Sequence, residues 1–448
     1  MSSTVVPALQ TIRLDLHASE TGVTWLFTGY LLSASVGTAI LGRFGDMFGK
    51  ERVLLWTLVL LGLGTLLAAL SHSLAPLIVA RVIQGIGGGI FPLSFGIIRD
   101  EFPRERVAGS IGLVSAILGI GGGLGIVVGG LVVEHLGWHW LFWLPLVVIA
   151  AAAFATWRFV PESPVKAPGR VNWTATALMA LSISIVLVAI SQATTWGWGS
   201  AKTLGLLAAG LALCAAWVAV ETRSDVPLID MKMMRMRGMW TTNLAAFLLG
   251  ASLYSSFFAF PQFAELPKST GFGFGASIVV AGLYLLPAPI FVTVTGASAG
   301  VIAGRFGSKA PLIGGSAVSA TALALLAVAH DHPYEMLISA ALQGIGNGLA
   351  FAALGNLVVE AVDPHQTGAA TGMNSVLRTI GGALGGQLAA TFVATHTAAS
   401  GLPLVDGFTE TFAMAAGCVV VCGLTGFLVP TPRRATSARA LLVAKGSR

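Results

Sequence analysis

One four-residue phrase occurs twice, 259 positions apart, inside apolar sequence: Gln84-Gly85-Ile86-Gly87 and Gln343-Gly344-Ile345-Gly346. An earlier stretch echoes at nearly the same offset, where Gly42, Phe48 and Gly49 have counterparts in Gly300, Phe306 and Gly307. A duplication of this length restricts the fold to two like units rather than one core. Hydropathy says what the units are. The chain is 55% hydrophobic and only 10% charged, with mean hydropathy +0.84. A water-soluble surface takes roughly a quarter charged residues, so the units lie in lipid. Backbone polar groups there must be satisfied internally, which leaves helices or closed barrels. The apolar runs are continuous rather than alternating, which excludes barrel strands. The fold class expected is therefore an all-α multi-pass membrane protein, and the 56 glycines favour close helix approach in it.

About 20 apolar residues cross the hydrocarbon as a helix. Thirteen spans are expected, near residues 22–41, 53–70, 74–98, 107–133, 140–160, 172–192, 203–220, 239–260, 275–302, 310–329, 335–359, 368–394 and 408–429. Charge sorts the connecting loops. One side carries Arg43, Lys50, Arg52, Arg99, Arg104, Arg106, Arg158, Lys166, Arg170, Arg223, Lys232, Arg235, Arg237, Arg305 and Lys309, and the tail adds Arg433, Arg434, Arg439, Lys445 and Arg448. The other side has only Arg13, Lys202 and Lys268. The positive-inside rule puts the first set, and with it the C-terminus, in the cytoplasm. The net charge of +6 is thus a topology signal, and no nucleic-acid partner is expected. Val5-Val6-Pro7-Ala8-Leu9 is apolar but too short to cross, like the stub of a helix that begins earlier. The offset of 259 exceeds the roughly 200 residues that six spans with loops would occupy. Two additional helices, 172–192 and 203–220, fill the difference.

Three stretches carry recognisable patterns. Gly42 to Arg52, read Gly-Arg-Phe-Gly-Asp-Met-Phe-Gly-Lys-Glu-Arg, is similar to a loop signature G-x-x-x-D-x-x-G-R/K-R/K, with Glu51 at the second basic position. Arg81-Val82-Ile83-Gln84-Gly85 matches R-x-x-Q-G, and the stretch from Gly121 to Gly130 matches G-x-x-x-G-P-x-x-G-G except for Ile126 at the proline position. In this order and on these spans, the chain resembles the major facilitator superfamily, specifically its 14-helix drug:proton antiporter branch with the first helix missing. The resemblance implies an N-terminal bundle over 1–160, two extra linker helices over 161–237, a C-terminal bundle over 238–430 and a basic cytoplasmic tail over 431–448. It also implies a gate at the cytoplasmic ends of the bundles, formed by Gly42, Asp46, Gly49, Lys50 and Arg52. Arg81 and Gln84 are tied by it to proton coupling, and Gly121, Gly125, Gly129 and Gly130 to sealing the bundle interface. The family's first helix supplies an acid that would fall near Met1, so the missing helix would have carried it.

Physical chemistry supports part of this independently. Glycines 42 and 49 permit close approach and turning, and Asp46 can face a helix N-terminus; the alternative is that these charges only set topology. A charge at the position of Arg81 costs at least ~2.5–3.5 kcal/mol unless it faces protein or water. Gln84 shares its helix face. The alternative there is a structural arginine bonded to carbonyls. Glycines 121, 125 and 129 repeat every fourth residue and form a smooth face. Losing the proline at Ile126 removes a bend. Asn243, Tyr254, Gln343, Asn347, Asn374 and Arg378 are polar groups on second-half spans. They are expected to line a cavity, with interhelical hydrogen bonding as the alternative.

No nucleophile, metal cluster or phosphate loop emerges from the sequence, so no enzyme activity, cofactor or metal is expected. The function expected is secondary active transport, namely proton-coupled export of lipophilic or cationic drugs by alternating access. The expected partners are a small-molecule substrate, protons and the lipid bilayer of the cell membrane, around a monomer. Export of one dedicated metabolite is the second reading, and a truncated, impaired transporter the third.

Overall fold

The computed structural model describes Val5, residues 8–163, Lys166, and residues 171–225, 227–398 and 401–430. Seventeen α-helices lie in the described chain. In the first half these are α1 (Leu9–Asp15), α2 (Glu20–Phe48), α3 (Lys50–Ala69), α4 (Leu74–Gly85), α5 (Ile90–Glu101), α6 (Arg104–Leu136) and α7 (Trp140–Phe159). A middle set follows with α8 (Trp173–Trp196), α9 (Ala201–Arg223) and α10 (Met231–Arg235). The second half has α11 (Arg237–Glu265), α12 (Ile278–Leu285), α13 (Pro287–Phe306), α14 (Lys309–Val328), α15 (Pro333–Ala361), α16 (Thr367–Thr395) and α17 (Val405–Leu428). Eleven spans, with α4–α5 and α12–α13 each merged into one, are long and apolar enough to cross a bilayer. Helices α6 and α16, with 33 and 29 residues, are long enough by length.

Two expected spans are not single helices. The span over 74–98 changes to a 3₁₀ turn at Ile86–Gly89, between α4 and α5. Three glycines fall in that stretch and Gly85 precedes it; Gly85, Gly88 and Gly89 let α2 approach, while Gly87 faces Leu61 of α3. A methyl group at Gly85 would strike the Tyr30 carbonyl oxygen and Ser33, and one at Gly88 would strike the Ala34 carbonyl oxygen and Thr38. Glycine's weak helix propensity then lets the tighter turn form. The span over 275–302 breaks at Leu286, where Pro287 opens α13 and cannot donate to the preceding turn.

Each half packs mainly within itself. Helix α2 lies against α4, α3 against α4 and α7, while α11, α13, α14, α15, α16 and α17 pack on one another. Two seams join the halves: α2 runs along α16, and α6 along α13, with α6–α15 and α5–α16 beside them. The α8–α9 hairpin rests on α2 and α16. Its apolar cluster (Met179, Ile183, Trp217, Leu228, Ile229) continues through Ala39, Ala370 and Met373, so the hairpin covers one seam. The short α1 is held by Val5, Ala8 and Ile12, buried against Val23, Leu26, Leu77 and Phe142.

Candidate functional site

At the end of the molecule that carries Asp46, the two halves are joined by charge. Helix α16 has no capping side chain of its own, since Gln366 at its N-cap makes no such bond. The cap comes from the other half. The Gly368 N–H donates to Asp46 Oδ1 at 3.1 Å, and the Ala369 N–H to Asp46 Oδ2 at 3.0 Å. A carboxylate is the suited ligand because a helix N-terminus offers unpaired N–H groups and a positive dipole end. Its counter-charge is Lys50, one turn on at 3.6 Å from Asp46 Oδ1. Lys50 also donates to Asp100 Oδ2 at 2.7 Å, and these side chains are buried. The Ser163 hydroxyl donates to the same Asp100 oxygen. Arg99 crosses the other way, donating to Thr367 Oγ1 at 2.6 Å and to the Val362 carbonyl at 2.8 Å.

Backbone approach makes this possible. The Gly42 and Gly368 carbonyls each lie where the other's β-carbon would stand, so any larger residue would hold the seam open. Gly49 ends α2 and starts α3 at φ +107°, with the Glu162 carboxylate pressed against it. Both the positive φ and the missing side chain require glycine. Arg52 is exposed beside Glu51 and stands outside the cluster.

Deeper in the first half, Arg81 and Gln84 are fully buried. Arg81 Nε donates to the Leu26 carbonyl at 3.1 Å and Nη1 to Gln84 Oε1 at 2.7 Å, and Gln84 Nε2 donates to Thr65 Oγ1 at 3.1 Å. The guanidinium lies 4.3 Å over the Tyr30 ring. This network ties α2, α3 and α4 together and leaves Arg81 Nη2 without a partner among the described residues. In the second half Arg378 sits 5.2 Å over the Phe351 ring. Tyr254 is within electrostatic reach of both Arg378 and Tyr30, so a row of two arginines and two tyrosines runs from one half to the other.

A narrow cavity of about 10 Å³, room for roughly one water molecule, lies between the halves. Its wall includes Phe91, Phe95 and Ser115 from the first half and Phe351, Asn374 and Arg378 from the second. Of the expected lining residues, Asn374 and Arg378 reach it. The Asn374 amide donates to Asn243 Oδ1 at 3.0 Å and to the Thr242 carbonyl at 3.2 Å, so Asn243 braces the wall from behind. Gln343 and Asn347 do not line this cavity. Asn347 turns into the second half and accepts from Ser319 at 3.5 Å, because Gly346 lets α15 close on α14 there.

The glycine ladder on α6 differs from its expected use where it is described. A methyl group at Gly121 or Gly130 would meet no heavy atom within 4 Å. Gly125 and Gly129 are buried. The close approach of α6 to α13 lies earlier, where Gly112 meets the Gly296 carbonyl and Gly300 meets Gly109. The side chain of Ile126 and the basic tail 431–448 lie outside the described residues. Sequence reading missed Arg99, Asp100, Ser163 and Ser115. The first two were visible only as charges at a span end, and nothing local marks the serines.

Comparison with known proteins agrees with this architecture. The family model described as Major Facilitator Superfamily matches residues 1–386 and again 242–444, so the second half matches it in its own right. The Tetracenomycin C resistance and export protein of Streptomyces glaucescens is 28% identical over 390 residues, covering 86% of this chain and 71% of that protein. Multidrug resistance protein 3 of Bacillus subtilis is 27% identical over 86% of this chain and 75% of its own. The Methylenomycin A resistance protein of Streptomyces coelicolor is 28% identical over 86% and 80%. Among solved structures, the human organic anion transporter MFSD10 superposes with a TM-score of 0.66 at 17% identity, over 94% of this chain and 88% of that one. With a family match across both halves, a two-seamed helical bundle and relatives named for resistance and export, this chain belongs to the Major Facilitator Superfamily and is a multi-pass membrane transporter.

Proposed function

We propose that the protein exports lipophilic small molecules from the cell in exchange for protons, its two halves rocking so that one central site faces each side of the cell membrane in turn. The observation that carries this reading is the Asp46 cap. It joins the halves through two hydrogen bonds from the N-terminus of α16, at one end of a cavity that lies between them. Such a contact can break and reform as a unit, which alternating access requires. The positive-inside rule supports a cytoplasmic position for that end, since twenty basic residues belong to the loops and tail expected on that side, against Arg13, Lys202 and Lys268 opposite. The closed form described is then the outward-facing one.

In this reading residues 1–160 and 238–430 are the rocking bundles, 161–237 a linking unit, and the active form a monomer. Arg81 serves proton coupling, since a buried guanidinium bonded to Gln84 and stacked on Tyr30 responds to the charge around it. Relatives named for multidrug resistance and for single antibiotics both support export. Cations enter the proposed substrate class by resemblance alone. In proteoliposomes with an imposed pH gradient, the full-length protein should move a neutral lipophilic dye against its gradient. Arg81→Ala should abolish that movement while the protein still inserts. Dye movement that ignores the pH gradient would refute proton coupling, and none at all would refute export.

A further inference from the structure

Arg81 and Arg378 both lie away from their helix ends, and they are not equivalent. Arg81 is engaged by a carbonyl, an amide and a ring inside the first half. Arg378 lines the cavity, and apart from the Phe351 ring and the nearby Tyr254, no hydrogen bond or ion pair engages its guanidinium among the described residues. Across the cavity, on α6, Ser115 is 3% exposed and its hydroxyl has no hydrogen-bond partner among the described residues. A buried hydroxyl is seldom left unsatisfied. The described wall contains no Asp or Glu. Its remaining surface is largely aromatic, from Phe91, Phe95 and Phe351.

We infer that this cavity, widened as the halves part, binds planar aromatic molecules carrying one ionised acid group, a carboxylate or phenolate, with the acid on Arg378 and Ser115 and the rings among Phe91, Phe95 and Phe351. The assignment rests on the export reading and sets the charge of the substrate within it. Guanidinium is suited to this task because its planar fork matches an oxyanion and it is weakly hydrated. A cation in the same cavity would meet an uncompensated like charge at low dielectric. Because Arg378 and Ser115 belong to opposite halves, an acid that touches both also draws the halves together.

Three pyrene probes with one ring system separate the possibilities: pyrenecarboxylate, pyrenemethanol and pyrenemethylammonium. Binding to the purified full-length protein in nanodiscs, corrected with empty nanodiscs, is read by fluorescence. The acid should bind about tenfold or more tighter than the amine, the scale of one charge-assisted hydrogen bond. Arg378→Gln should weaken acid binding about tenfold and bring the acid-to-amine ratio near one. Arg378→Lys should keep the sign of the preference. An amine that binds as tightly as the acid in the wild-type protein overturns the inference, as does an unchanged ratio in Arg378→Gln. If that variant does not fold, the wild-type ratio and Arg378→Lys still decide, and reversal of the preference in the lysine variant counts against it. Proteoliposome transport of the same probes keeps the two readings apart. Movement of the alcohol or amine but not of the acid sinks the acid assignment and leaves export standing, whereas movement of none sinks export itself.

Discussion

The duplicated loop closes two seams by different means. In the first copy Asp46 caps α16, Lys50 bridges it to Asp100, and Gly42 meets Gly368 backbone to backbone. In the second copy the backbone contact survives: Gly300 meets Gly109 on α6 as Gly42 meets Gly368. The charges do not. Gly304 stands where Asp46 would be, with nothing within 4 Å of an added methyl group. Ser308 answers to Lys50 and forms a hydrogen bond with Glu360, the counterpart of Glu101, while Val359 stands where Asp100 would be. One seam is therefore joined by buried charges, and the other is held by close backbone packing. That asymmetry suits a rocking pair, in which one seam is released and the other serves more as a pivot.

Breaking the charged seam should have the largest effect. Lys50→Met leaves Asp46 and Asp100 buried without their shared cation, which should cost about 3–5 kcal/mol. Thermal unfolding of the purified protein should show the loss, and an unaltered midpoint would mean that Lys50 is not the counter-charge. Asp46→Asn keeps the shape but removes the charge from the cap, so the closed form should weaken by about 1–3 kcal/mol. A cysteine introduced by Thr371→Cys, on the cavity wall, reports this through labelling by an impermeant maleimide added on the Asp46 side. Labelling should speed up about tenfold or more, and an unchanged rate would argue that the cap does not gate access.

The backbone contacts offer a sharper test of the two seams. Gly42→Ala and Gly300→Ala each force a methyl group into the opposite backbone, at about 1–3 kcal/mol apiece. Gly42→Ala should raise the same labelling rate, whereas Gly300→Ala should lower stability with little change in labelling. Equal labelling in both variants would erase the distinction between lock and pivot. The smallest effect is expected from Gly304→Asp, which restores the missing acid in open space. Near the N-terminus of α6 it should contribute only about 0.3–1 kcal/mol, visible as a slightly raised thermal unfolding midpoint. An unchanged midpoint would place the second copy's acid position too far from α6 to act.

Much of this was legible in the chain. Spans, duplication and the loop from Gly42 to Arg52 were read from local patterns, and the helices follow them to within a few residues at most ends. The exceptions have causes that sequence hides. The break after Gly85 depends on α2 approaching within van der Waals range, and glycine alone does not say which neighbour it admits. Arg99 and Asp100 read as ordinary charges at a span end. Only packing turned one across the seam to Thr367 and the other inward to Lys50. Gln343 repeats Gln84 and Asn347 shares its helix face, yet Asn347 turns towards α14. A helix has more than one buried face, and periodicity cannot say which one meets a cavity.

What the sequence determined by itself is the medium and the repeat: a residue's transfer into lipid is its own property, so runs of apolar residues specify helices wherever they lie. What only the tertiary structure decided is which polar groups meet. Asp46 finds its partners 322 and 323 residues away. Arg378 is set apart from Arg81 by the lack of a hydrogen-bonding neighbour among the described residues rather than by its type. Capping and pairing depend on a few tenths of an ångström between distant backbones, and that distance is fixed by how whole helices pack.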